Sequence, residues 1–262
     1  MGPSTGNWKL TTDNCLMTRR RWIADEVAGD TAALVGEHAA HLARVLRAEV
    51  GQEFDIATGE EVRRGTITTI SYDRIEFALD TKPYHRRTFK LSAAPKITLA
   101  LAIFKFDRME WAIEKCTEIG VARIIPVIAR RTDAHLAAAA VKRQERWRRI
   151  VRQAVEQSRQ SAPPEVAAPV KLKDLAAPGV LPAGALTRVV LAESEVDARL
   201  GDVLQSWSSE MVLAIGPEGG WADGELAWFH EEGWIAASLG STILRAETAA
   251  VVATALALDA LR

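Results

Sequence analysis

The feature that most constrains this chain is a series of short, unbroken apolar runs in its second half, each followed by a helical pattern. The runs are ITLALAI (97–103), VARIIPVI (121–128), RVVLA (188–192), MVLAI (211–215) and IAASL (235–239). Runs of this length without polar alternation read as strands covered on both faces, and their alternation with helices is the pattern of a parallel α/β sheet. The pattern begins near residue 92. Before it, RRWIA, QEFDIATG, RGTITTISY and RIEFALD are period-2 or β-branched runs separated by Gly and charged pairs, which predicts a small β-barrel from about Thr18 to Lys90. One helical piece is expected inside it, over 36–47, with His41, Leu42, Val45 and Leu46 on one face. The division is therefore a tail over 1–16, a barrel domain over 17–91 and an α/β domain over 92–262. The tail is read as a cloning remnant or an upstream extension ahead of Met17.

With 262 residues, 48% hydrophobic and 26% charged, the chain has the composition of a soluble globular protein with one large or two small domains. A net charge of -1 gives no global signature of a nucleic-acid partner, so any such partner must meet a local patch. Cys15 and Cys116 stand in no metal or redox spacing, and Cys116 falls on an apolar helical stripe; a reduced core residue in a cytoplasmic protein is expected, with no metal. Outside the last helix no apolar run approaches the roughly 18 residues of a membrane span, and that helix carries Glu247 and Asp259, so no membrane partner is expected.

The strongest single functional signal is MVLAIGPEGGW (211–221), a buried strand running into a glycine-rich turn. In open α/β sheets ligands collect beyond the carboxyl ends of the strands, and Gly216, Gly219 and Gly220 let backbone amides approach one without obstruction from a Cβ. The turn lacks the Lys of a Walker loop and the GxGxxG spacing of a dinucleotide loop, and Glu218 would repel phosphate. A neutral or cationic ligand fits better; a strand-to-helix turn with no ligand is the plain alternative.

Three helical stretches complete the pattern. The first starts at a cap-like Asp107, buries Met109, Ala112, Ile113, Cys116 and Ile119, and ends at Gly120. The second, 142–159, turns Trp147, Ile150, Val151, Ala154 and Val155 inward and leaves a basic outer face, which reads either as a phosphate-binding surface or as a solvated one. The third closes the chain and is apolar almost all round, which implies burial on several sides and predicts a homodimer. Between them, 161–186 is proline-rich and is expected to be surface connection with one short helix near Leu172 to Ala176.

Several motifs in order resemble one family. IGPEGGW (215–221), LGSTILRAETA (239–249), FDRMEWAIEKCTEIGV (106–121), ERWRRIVRQAVEQSRQSAPP (145–164), HLARVLR (41–47) and RRxW (19–22) are similar to the RsmE-type 16S rRNA uracil-N3 methyltransferases of the SPOUT superfamily. The resemblance implies an N-terminal PUA-like β-barrel, a C-terminal SPOUT α/β domain with a trefoil knot, a homodimer, and methylation of uridine N3 in 16S rRNA of the small ribosomal subunit with S-adenosylmethionine. By the same resemblance the cofactor is cradled by Leu191, Ala192 and Glu193, by Ile215, Gly216, Pro217, Gly219 and Gly220, and by Leu239, Gly240, Ser241, Ile243, Leu244 and Ala249. One departure stands out: where the family commonly has Pro-Arg, this chain has Ser241 and Thr242.

Uridine N3 carries a proton, so the reaction needs a proton acceptor and a group that stabilises the anion. Arg245 is the candidate stabiliser and Glu218 or Glu247 the candidate acceptor; the alternative is that Arg245 and Glu247 form a structural ion pair. Candidate RNA contacts are Arg19, Arg20, Arg21, Arg47, Lys105, Arg108, Arg146 and Arg159. Two competing readings are a non-catalytic RNA-binding protein that keeps the fold, and a SPOUT methyltransferase for another RNA site.

Overall fold

The computed structural model describes residues 21–59, 61–83, 96–184, 186–206 and 210–260. The expected tail, Arg19 and Arg20 lie outside them. The chain forms a mixed α/β fold with two sheets, in two compact units, Met1–Arg86 and Arg87–Arg262.

The first unit holds strands β1 (Trp22–Ile23), β2 (Glu26–Ala28), β3 (Thr31–Val35), β4 (Glu53–Ala57), β5 (Val62–Ile70) and β6 (Arg74–Pro83), in the order β1-β4-β5-β6-β3-β2. The β2–β3 hairpin was not among the expected strands, because EVAGDTAALV has little alternation to announce it. Alternating residues bury Trp22, Leu34, Ile56, Ile67, Ile75 and Phe77 against Leu42. Gly65 sits where β5 shifts register, and a Cβ there would lie 2.6 Å from Ile56 Cγ1, so no larger residue fits. Arg63 is buried at the same place and is spent on structure: its guanidinium donates to the Gly29 and Asp80 carbonyls and to Asp30.

The expected helix over 36–47 is corrected. A single α-turn, α1 (Glu37–Ala40), opens into a π-helical turn over His41–Val45. Its wider i→i−5 bonding, Leu46 N–H to the His41 carbonyl, rotates the following residues, so Leu42 is buried while Val45 and Leu46 face solvent.

The second unit holds a parallel sheet of β7 (Lys96–Ala102), β8 (Arg123–Ile128), β9 (Glu165–Val166), β10 (Val170–Lys171), β11 (Thr187–Leu191), β12 (Glu210–Ile215) and β13 (Ile235–Ala237), ordered β10-β8-β7-β12-β11-β13 with β9 also on β8. Its helices are α2 (Phe106–Ile119), α3 (Ala134–Ser158), α4 (Leu200–Val203), α5 (Asp223–Glu231) and α6 (Ala246–Asp259). On one face Leu99, Leu101, Leu213 and Ile215 pack on Met109, Trp147 and Ala250 from α2, α3 and α6. On the other, the small Ala100, Ala102 and Ala214 leave room for Trp221, Phe229 and Trp234, whose rings meet edge to face at 4.9 and 5.0 Å.

Four details differ from expectation. Helix α2 starts at Phe106 after Lys105, so Asp107 lies in the first turn, where its charge complements the positive end of the helix dipole, rather than at the cap. Helix α3 begins at Ala134, capped by the Asp133 side chain on the His135 N–H, because the alanine run 137–140 continues the helix toward its N-terminus. The proline-rich 161–186 is more than connection: β9 and β10 extend the sheet beside β8, and Leu172 and Leu175 enter the core, the prolines sitting outside the paired residues. IAASL lies at the other end of the strand order, and Ile235 is 44% exposed. Among the described residues no helix is long and apolar enough to cross a membrane, and no group of side chains could hold a metal ion.

Candidate active site at the carboxyl ends of β11, β12 and β13

Because β11, β12 and β13 run parallel, their carboxyl ends open on the same edge of the sheet. The three loops that leave them, 191–194, 215–221 and 237–244, surround one cavity of about 490 Å³, with Ala246 and Ala249 of α6 closing one side. All fourteen residues named above for a cofactor line this cavity, and so does Glu218.

The cavity is built on Trp221. The indole N–H donates to the Leu191 carbonyl at 3.1 Å and so ties the end of β11 to the turn after β12. Gly216 lies against the same ring: a Cβ there would stand 3.3 Å from Trp221 Nε1. Gly220 turns in the left-handed region at φ 68°, its N–H bonded to the Pro217 carbonyl at 2.8 Å. Buried Glu225 then accepts from the Ala222 N–H at 2.8 Å and from the Arg130 N–H at 2.7 Å, fastening the turn to the loop after β8. In that loop Arg131 donates through Nη1 to the carbonyls of Gly219 and Trp221. Its side chain also lines the cavity.

Arg131 was missed in the sequence, where ARRTD reads as an ordinary charged turn. Beyond the turn, the Glu195 carboxyl is held below its usual range by the backbone N–H groups of Asp197 and Ala198, which shape the loop after 193.

Beside the cavity the three candidate catalytic residues separate. Arg245 is exposed at the N-terminal end of α6 and makes no ion pair among the described residues, so the structural Arg245–Glu247 pair does not form. Arg108, from the first turn of α2, takes that place. Its Nη1 lies 2.8 Å from Glu218 and its Nε 3.9 Å from Glu247. Glu247 is only 8% exposed, and its Oε2 has no hydrogen-bond partner among the described residues.

The described candidate RNA contacts are divided between the two units. Arg21 is half-buried before β1, and Arg47 is exposed at φ 50° after the π turn. Lys105 is exposed ahead of α2, and Arg159 ends α3 in the left-handed region at φ 60°. Arg108 and Arg146 are already held by carboxylates, Arg146 through Nε at 2.8 Å from both oxygens of Glu110. A phosphate would have to compete with those partners, which the sequence spacing does not reveal.

The RNA methyltransferase domain family matches residues 92–258. A ribosomal RNA small subunit methyltransferase E from Synechocystis is 31% identical over 253 residues, covering 94% of this chain and 78% of that protein. The crystal structure of a ribosomal RNA small subunit methyltransferase E from Neisseria gonorrhoeae bound to S-adenosyl methionine superposes with a TM-score of 0.78 at 29% identity, covering 91% of this chain and 96% of the other. A putative methyltransferase from Legionella pneumophila in complex with the cofactor SAM gives 0.76 at 28% identity over 93% and 96%. With the domain match taking in every loop around the cavity and the full-length similarity extending through both units, the chain belongs to the ribosomal RNA small subunit methyltransferase E family of RNA methyltransferases.

Proposed function

We propose that this protein is an rRNA methyltransferase that uses S-adenosylmethionine to methylate N3 of a uridine in 16S rRNA of the small ribosomal subunit. The observation that carries the reading is the cavity where three strand-end loops converge, together with the bound cofactor of two structures similar over most of both chains. The cavity suits that cofactor. Glu193, Glu218 and Asp223 face a ligand with two cationic groups, the glycines at 216, 219 and 220 admit close backbone contact, and Leu191, Leu239, Ile243 and Leu244 offer apolar surface to a flat base.

S-adenosylmethionine supplies an electrophilic methyl group when bound. The chain's own groups must then free the N3 lone pair and balance the charge left on the flanking carbonyls. Glu247 is the favoured proton acceptor, since its Oε2 is unpaired while Glu218 is engaged by Arg108. Arg245, a free cation at the start of α6, balances the anion. An Arg245→Ala variant that methylates at the normal rate would remove it from the chemistry. Exposed Arg47 and Lys105, with half-buried Arg159, are read as rRNA contacts.

The same reading divides the chain at residue 92 into a PUA-like barrel and a SPOUT domain with a trefoil knot, acting as a homodimer in the cytoplasm. Supporting the dimer is α6, which buries Ala246, Ala250, Ala253 and Ala257 on one side and leaves apolar Leu256 43% exposed on the other. The test is incubation with labelled S-adenosylmethionine and small subunits lacking the modification, followed by nucleoside mass analysis. N3-methyluridine at one 16S site is expected. Methyl on another nucleoside discards the target. Absence of label, with cofactor bound and a known enzyme active on the same subunits, discards the enzyme in favour of an RNA-binding protein.

A further inference from the structure

The walls of the cavity are electrostatically one-sided. The lining holds three carboxylates, Glu193, Glu218 and Asp223, of which Glu218 is paired with Arg108, and a single cationic side chain, Arg131. Its guanidinium is held in place, since Nη1 donates to the carbonyls of Gly219 and Trp221, and its Cδ packs 3.4 Å from where a Cβ on Gly219 would stand. It is not neutralised: among the described residues no carboxylate lies within ion-pair distance of it, and Nε and Nη2 make no hydrogen bond. A fixed guanidinium with donors left over, at the wall of a ligand cavity, is a receptor for a planar anion, because its fork matches the two oxygens of a carboxylate.

We infer that Arg131 is the residue that binds the α-carboxylate of the cofactor's amino-acid tail. This rests on the cofactor reading above. S-adenosylmethionine has one anionic group and two cationic ones; with Glu218 already paired to Arg108, the cavity offers one cation and two unpaired acids, Glu193 and Asp223, so charge matching assigns the carboxylate to Arg131. The sulfonium and ammonium then face acidic walls. The same side chain joins two functions: it ties down the Gly219–Trp221 turn and fixes which end of the cofactor lies against that turn. Specificity follows, since adenosine compounds without the carboxylate would leave the guanidinium unpaired in the cavity.

The experiment compares three ligands by isothermal calorimetry on the full-length protein: S-adenosylhomocysteine, its decarboxylated amine, and 5′-methylthioadenosine, which lacks the whole amino-acid tail. The wild-type protein is expected to bind S-adenosylhomocysteine about tenfold or more tightly than the decarboxylated amine, the range for a charge-assisted pair. Arg131→Gln should abolish that preference by weakening S-adenosylhomocysteine alone, leaving 5′-methylthioadenosine within about twofold. Arg131→Lys, which keeps the charge and loses the fork, should fall between. A wild-type protein that does not discriminate overturns the assignment. So does an Arg131→Gln variant that loses all three ligands equally, for then Arg131 is only a strut of the turn. If the variant keeps all three affinities and loses rRNA instead, the guanidinium serves a phosphate and the assignment is again overturned. If the wild-type protein binds none of the three, the cofactor reading itself falls, an outcome distinct from failure of Arg131 alone.

Discussion

Replacing Gly216 by Ala tests whether the Trp221 ring sets the shape of the cavity. The added Cβ would lie 3.3 Å from Trp221 Nε1 and 3.4 Å from its Cδ1 and Cε2, tight enough that the ring must retreat by a few tenths of an ångström. Retreat is opposed on two sides. The indole N–H is bonded to the Leu191 carbonyl at 3.1 Å, and Phe229 stands edge to face at 4.9 Å. Overpacking of this kind costs about 1–3 kcal/mol. For a domain the size of the second unit, that corresponds to a fall in Tm of roughly 2–4 °C per kcal/mol. Any movement of the ring also pulls on the Leu191 carbonyl at the rim of the cavity. Affinity for S-adenosylhomocysteine should therefore fall about tenfold, equivalent to about 1.4 kcal/mol. Thermal melts with and without the ligand, and calorimetric titration, read both effects. The double variant carrying Trp221→Phe as well makes the argument stricter. A smaller ring without the N–H has room to move, so Gly216→Ala should cost less in that background than alone. If Gly216→Ala melts and binds as the wild type does, or costs the same in both backgrounds, the ring does not define the cavity.

Arg108→Ala should lower kcat about tenfold or more while leaving affinity for S-adenosylhomocysteine within about twofold, because Arg108 holds Glu218 and Glu247 without lining the cavity; methylation kinetics beside calorimetry separate the two, and an equal loss in both refutes it. Glu225→Gln leaves one carbonyl oxygen where the Arg130 and Ala222 N–H groups both need an acceptor, so urea denaturation should show a loss of about 1–3 kcal/mol; an unchanged midpoint would mean that the carboxylate is not fastening the turn. Burial pushes the Cys116 thiol up to about 12 from an ordinary 9.0. The folded state thus keeps its proton where the unfolded chain loses it, and stability should be intact below about pH 9 and fall by about 1.4 kcal/mol per pH unit above it. Cys116→Ala should lack that extra slope, and parallel pH profiles for the two proteins would refute the burial argument.

What the sequence made legible, and what it did not, follows from the range of the interactions involved. The strands at 97–103, 121–128 and 211–215 announce themselves because each residue's burial is written into the run itself, and the turn at 216–220 because glycine and proline act locally. The loops at 191–194 and 239–244 came only through the family resemblance, since neither has chemistry of its own until a ligand cavity forms between them. The π turn at His41–Val45 reversed the expected face of Val45 and Leu46 because one extra residue per hydrogen bond is invisible to a 3.6-residue period. Arg131 and Glu225 show the limit most clearly. In the sequence they are one half of an Arg pair and one acid in a short helix; in the fold each reaches across to the other's segment. What brings them together is strand order. β8 lies next to β7 and β7 next to β12, so the loop after β8 can meet the turn after β12 only because β7 ends between them. That order cannot be read from periodicity, and in it a solvated charge run becomes one wall of the cavity.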